Sequence, residues 1–206
     1  MPEQILTPGT ESLESVEHPV YYLPMVVSLL LRKHFSRSSQ LPKSLENLVY
    51  SDDPALTKLH ILLRDETSTI NWASRPAMII RRNSFKTSRM GFGEGRLSYF
   101  GSYNAASHNV LYVGSCTVLC CSHREAQSTQ LALEAHQYLM RFQHQIRQGL
   151  RLMRLGVGEI GQAGILKEDR QVYATPFTLM FGYDRPFSVF PVSPPIRFIN
   201  VKQELK

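Results

Sequence analysis

The period of the hydrophobic pattern changes several times along the chain, and each change marks an element. The most apolar run is Val20-Tyr-Tyr-Leu-Pro-Met-Val-Val-Ser-Leu-Leu-Leu31. With Pro19 or Pro24 in its first turn, where proline is tolerated, it predicts a helix over residues 20–35. Residues 36–58 are punctuated by Ser, Pro and Asp, with a short helix expected at Ser44–Tyr50. Leu59–Arg64 and Ala77–Arg82 read as strands, the second led by Pro76, which there removes no interior ladder bond. Val110–Cys121, rich in β-branched and aromatic residues, reads as a third. Ser122-His-Arg-Glu125 matches a capping box, in which Ser122 accepts from the Glu125 amide. The long helix that follows carries an apolar stripe of Leu131, Ala135, Leu139, Phe142 and Ile146, spaced by three or four residues, and these five are the predicted core face. Gly149 is the expected terminator, and Arg141, Arg147 and Arg151 suit the negative end of the helix dipole.

Beyond the helix the period returns to two. Leu152–Ile160 reads as a strand and Lys167-Glu-Asp-Arg170 as a charged turn. Val172–Tyr183 reads as a long strand, with Phe177, Leu179, Phe181 and Tyr183 on one face and Thr178, Met180, Gly182 and Asp184 on the other. Pro176 implies a bulge or an edge. Strands gathered around one major helix define an α+β class: a mostly antiparallel sheet with the long helix on one face, an N-terminal helix and extended termini. The expected organisation is a flexible acidic arm (1–18), an N-terminal helical segment (19–58), an α+β core (59–185) and an extended Pro-rich tail (186–206). Inside the core, residues 83–109 form a long irregular stretch with Gly91, Gly93, Gly95 and Gly101; alternatively, they hide a long hairpin turning at Gly91–Gly95.

Composition excludes wholesale disorder, since the chain is 43% apolar and 19% charged over 206 residues. Charge is uneven. Residues 1–18 carry Glu3, Glu11, Glu14 and Glu17 and no Lys or Arg, so the overall +6 leaves +10 on the rest. A basic body meets nucleic acid or an acidic protein surface. The apolar run at 20–31 is shorter than the roughly 20 residues a membrane span needs, and acids rather than a basic segment precede it, so neither a span nor a signal peptide is expected. Its apolar surface is expected to enter the core, with docking onto a neighbouring subunit as the alternative. Cys116, Cys120 and Cys121 are odd in number and crowded, which is not a disulfide framework; buried thiols in a reducing compartment are expected.

Little else carries chemistry. Gly91-Phe-Gly93-Glu-Gly95 is no phosphate loop, because no helix start follows it to supply amides. Cys120-Cys121-x-His123 lacks a second ligand cluster, and the other histidines, His34 and His136 among them, are read as scattered and unpaired. Ser115 lies outside any nucleophile elbow, and Asp52-Asp53 reads as a turn doublet. No enzyme, metal site or cofactor is therefore expected. The distinctive feature is a basic, aromatic segment. Arg81, Arg82, Arg89 and Arg96 are interleaved with Phe85, Phe92, Tyr99, Phe100 and Tyr103, and Arg75 and Lys86 add to the charge. Such a segment binds nucleic acid by phosphate contact and stacking, or forms a subunit interface, where Arg and aromatics are enriched. The arginines spread over one strand and a loop rather than along a helix, which favours the interface.

The order of these elements resembles the tail-terminator and neck (tail-completion) proteins of tailed bacteriophages. The resemblance rests on the proline-led strand Arg75-Pro76-Ala-Met-Ile-Ile-Arg81-Arg82, the long loop, the hydrophobic strand, the junction Cys121-Ser-His-Arg-Glu-Ala126, the long helix and the closing antiparallel strands. It covers roughly residues 55–185. It implies a ring, commonly hexameric, that caps the tail tube and meets a head-side connector or adaptor, with a sheath as a further neighbour if the tail is contractile. It implies location in the virion neck after assembly in the host cytoplasm, no membrane, no cofactor, and DNA only as the passing genome. The alternative is a nucleic-acid-binding domain using the basic aromatic loop 81–103.

Overall fold

The computed structural model describes residues 19–63, 76–88, 106–166 and 171–189. The flexible-arm expectation for 1–18, the charged turn at 167–170 and most of the tail therefore lie outside the described residues. Among the described residues two helices and seven strands make an α+β fold, as the periodicities imply. Helix α1 is Pro19–Phe35, strand β1 is His60–Leu63, β2 is Ala77–Arg82, β3 is Lys86–Ser88 and β4 is Ala106–Ser122. Helix α2 is Glu125–Gly149, followed by β5 (Arg154–Ile160), β6 (Gly164–Ile165) and β7 (Tyr173–Val189). The sheet runs β1-β2-β4-β7-β5, with β3 also on β4 and β6 also on β7. β1 and β2 are parallel and every other pair is antiparallel.

Both helices lie on one face of the sheet. Leu131, Ala135, Leu139 and Ile146 of α2 are buried against Val118, Phe177 and Leu179 and form one cluster with Leu23, Val27, Leu31 and Phe35 of α1. Phe142 corrects the predicted stripe. It is only partly buried, at the rim of the core, with its ring 4.8 Å from that of Tyr138. The strict alternation of β7 explains the rest: Phe177, Leu179, Phe181 and Tyr183 are all buried, while Met180 on the other face is 57% exposed.

Several boundaries move, each for a local reason. The Ser44–Tyr50 segment forms hydrogen-bonded turns, and the short helix is instead a 3-10 turn at Ser38–Gln40. Pro19 opens α1 and Pro24 lies within it. The capping box does not form, because Ser122 still belongs to β4, where it opposes Tyr173. Its hydroxyl donates to Gln127 Oε1 and accepts from the Arg124 amide. Pro176 is not at an edge; β7 lies between β4 and β5, and the irregularity falls in β5, where the register shifts between Val157 and Ile160 and the Gly161 amide donates to the Pro176 carbonyl. Residues 83–109 are not one loop: β3 pairs with β4 as the base of a hairpin, and β4 already begins at Ala106. Residues 186–189 belong to β7 rather than to the tail.

Helix α2 ends at Gly149, as expected, but the glycine is not the left-handed residue of the cap. The Arg151 amide donates to the Gln148 carbonyl and the Leu152 amide to the Arg147 carbonyl, the paired bonds of a Schellman cap. The left-handed residue is Arg151, at φ 51°. A side chain there crowds its own carbonyl, which glycine avoids. Arg151→Gly is expected to raise stability by about 1 kcal/mol, measured by urea denaturation. An unchanged or lowered midpoint would show that the arginine side chain offsets its backbone cost.

Candidate interaction surface

The sheet face away from the helices carries Arg81 and Lys86 of the predicted segment. Directly opposed residues share a face. Lys86 opposes Val113, Val113 opposes Gly182 and Gly182 opposes Arg154, so the four form one row across β3, β4, β7 and β5 with a cation at each end. The next row is Ser115, Met180 and Gly156, and the one after joins Arg81, Thr117 and Thr178. A groove of about 670 Å³ is lined by Lys86, Arg154, Ser115, Thr178 and Met180, and no acidic side chain is among its described lining residues. Asp184 stands one row further out, opposite Leu111.

The sequence builds this groove in two ways. Asn83 Nδ2 donates to Ser115 Oγ at 2.9 Å and to Thr117 Oγ1 at 2.8 Å, and Thr117 meets Thr178 at 3.3 Å. These bonds pin the β2–β3 connection to β4 and so place Lys86. Gly182 places Arg154: a Cβ there would lie 2.9 Å from Arg154 Nε, so the arginine stem lies across the bare backbone of β7. Gly114 has the same role on the helix-covered face, where a Cβ would lie 2.7 Å from Phe181 Cζ and 2.9 Å from Phe85 Cβ.

The predicted interface residues divide. Arg81 is exposed on the open face. Arg82 points to the other face, with its guanidinium 4.6 Å from the ring centre of Tyr21. Phe85 is 38% exposed and borders an aromatic row in which Tyr112 and Tyr183 stack at 5.2 Å. Arg89, Phe92, Arg96, Tyr99, Phe100 and Tyr103 lie outside the described residues. The sequence grouped Lys86 with the arginines around it, whereas Arg154 reads as part of a separate patch at the helix end. Only the β3-β4-β7-β5 pairing brings the two into one row.

The second feature is the β4–β7 ladder itself. Each strand has 17 residues, well beyond the usual strand length of roughly 3–10. β3 reaches only to Leu111, and β5 only to Gly182. Beyond that point Ala106–Val110 pair with Arg185–Val189 alone, so among the described residues five registers form a two-stranded arm with no flanking strand. Two strands by themselves are marginally stable in water.

Other polar groups are tied into the fold. His34 is not unpaired, as the sequence suggested; its Nε2 meets Glu134 Oε1 at 2.8 Å, and its ring stacks on Tyr138 at 4.0 Å, locking α1 to α2. His136 Nε2 bonds the Gly158 carbonyl and Gln143 that of Leu155, so α2 covers part of the β5 edge. Helix α1 buries one stripe as expected, but Tyr22, Met25 and Leu29 are exposed on the other. Among the described residues no helix is long and apolar enough to cross a membrane.

The three cysteines are buried thiols outside any disulfide. Cys116 and Cys120 face the helices and Cys121 the other side, as alternation requires. Burial pushes the Cys116 thiol up to about 12 from an ordinary 9.0, and burial, followed by the neighbouring Cys121, raises Cys120 in the same direction. The fold therefore keeps these protons to higher pH than the unfolded chain does. Their contribution to stability is complete below about pH 8.5 and is lost as pH rises from there through the raised folded values. Urea midpoints at pH 7.5 and pH 10.5 are expected to differ more for the natural protein than for Cys116→Ala/Cys120→Ala; equal differences would overturn this.

No protein-family model matches the chain, and no curated protein sequence matches it.

Proposed function

We propose that the chain is a virion structural protein of the tailed-phage neck. It forms a ring, hexameric in the family it resembles, that caps the tail tube and joins the tail to the head-side connector or adaptor. The observation that carries this reading is the two-stranded arm Ala106–Val110/Arg185–Val189. Its outer edges are open among the described strands, and an adjacent copy that pairs with either edge extends the sheet from subunit to subunit. The aromatic row of Phe85, Tyr112 and Tyr183 lies where this arm leaves the core. Native mass spectrometry of the purified protein is expected to give a closed ring of one size, alone or on tail tubes. A monomer at all concentrations, with no binding to tubes, would overturn the proposal.

A nucleic-acid-binding role is the second reading, favoured by Arg81, Lys86 and Arg154 on one open face. Salt-sensitive DNA binding by a monomer that never forms rings would select it.

A further inference from the structure

We infer that the open basic face is the docking surface for an acidic, partly apolar segment, and that its occupant is the chain's own N-terminal arm. Three cations mark the surface: Arg81 at the end of β2, Lys86 on β3 and Arg154 on β5. Between them lie Val113 and Met180, and the hydroxyls of Ser115, Thr117 and Thr178. Residues 1–18 offer the complement, with Glu11, Glu14 and Glu17 at steps of three, Leu13 and Val16 between them, and no Lys or Arg.

The distances agree. Lys86 and Arg154 stand across three strand intervals, and Arg81 and Lys86 sit four residues apart along the ladder, about 14 Å in each case. An extended chain covers about 10 Å in three residues, and long basic side chains bridge the remainder. Glutamates three apart on an extended chain point to alternate sides, so the arm matches the surface by charge and reach rather than by one fixed register. The arm leaves α1 at Pro19 on the helix-covered side, where Tyr21 holds the guanidinium of Arg82 at 4.6 Å, so it has to pass the end of β2 to reach the open face. An arm of residues 1–18 is long enough, at up to about 60 Å when extended. Attachment to the same chain raises the arm's effective concentration at the groove to the millimolar range, as for other short tethers. That favours occupation in cis over capture of a neighbour's arm. The inference does not depend on ring formation, and its experiment is read on the isolated subunit.

The probe is a labelled peptide of residues 1–18, titrated into two full-length proteins: the natural chain, and one with Glu3, Glu11, Glu14 and Glu17 all replaced by Gln. The neutralised protein is expected to bind the peptide about tenfold more tightly, because its own arm no longer competes, with affinity falling as salt rises. Adding Lys86→Glu and Arg154→Glu to the neutralised protein is expected to lower that affinity about tenfold, which is what two exposed ion pairs supply. Both sites are exposed, and unchanged thermal melts would show that the fold is intact. A peptide with lysines at positions 11, 14 and 17 should regain binding to the charge-reversed protein. Equal binding to the natural and neutralised chains would overturn occupation in cis. Binding indifferent to Lys86→Glu and Arg154→Glu would overturn the surface itself.

Discussion

Proline in the outer part of β4 is expected to abolish the proposed ring while leaving the subunit folded. Consecutive amides in an antiparallel strand point to opposite edges. His108→Pro and Asn109→Pro therefore remove one ladder donor toward β7 and one donor at the open edge. The site lies outside the part of the sheet that has flanking strands, so the thermal midpoint should fall by no more than about 2 °C. The proposed closed rings should be lost in native mass spectra, and the proposed tail-completing activity with them. Each proline alone separates the two effects, since only one of them faces an incoming strand. Rings that persist in both single variants and in the double variant would show that the β4 edge of the arm takes no part in assembly. A large fall in melting temperature would show that the arm belongs to the core.

Leu139→Ala is expected to produce the largest loss of stability of any single change named here. Leu139 is fully buried in the middle of α2, in one cluster with residues from α1, β4 and β7. Removing its branch leaves a cavity that such a packed interior closes only in part, at a cost of about 2–5 kcal/mol. For a domain of this size that lowers the melting temperature by roughly 5–15 °C. Phe142→Ala should cost less than half as much, because Phe142 packs at the rim against Tyr138. Differential scanning calorimetry of the two variants checks the ranking. Equal losses would mean that the rim aromatic pair matters as much as the central stripe.

The contrast between these two residues shows what periodicity conveys. A step of three or four residues reports which side of a helix a residue occupies, and for Leu131, Ala135, Leu139 and Ile146 that side is the core. It does not report how far the sheet extends beneath each turn, and Phe142 lies at the margin of that footprint. The left-handed cap at Arg151 was illegible for a related reason. Gly149 carries the usual terminator signal, but the chain turns two residues later, where Leu152 is buried and the amides of Arg151 and Leu152 reach back into the last turn.

Hydrophobic period along the chain was enough to establish the α+β class, the places of α1, α2 and β2, and the alternation of β7, because period and polarity are local properties that burial rewards residue by residue. Residue order also established that the cysteines are buried and that charge is divided between an acidic arm and a basic body. Only the tertiary structure decided that β1 and β2 run parallel, that β4 and β7 outrun their flanking strands, and that Lys86 and Arg154 stand at two ends of one row. Those facts depend on register and strand order. Register is set by which distant segments pair, and the central β4–β7 ladder joins residues that the chain separates by the whole of α2.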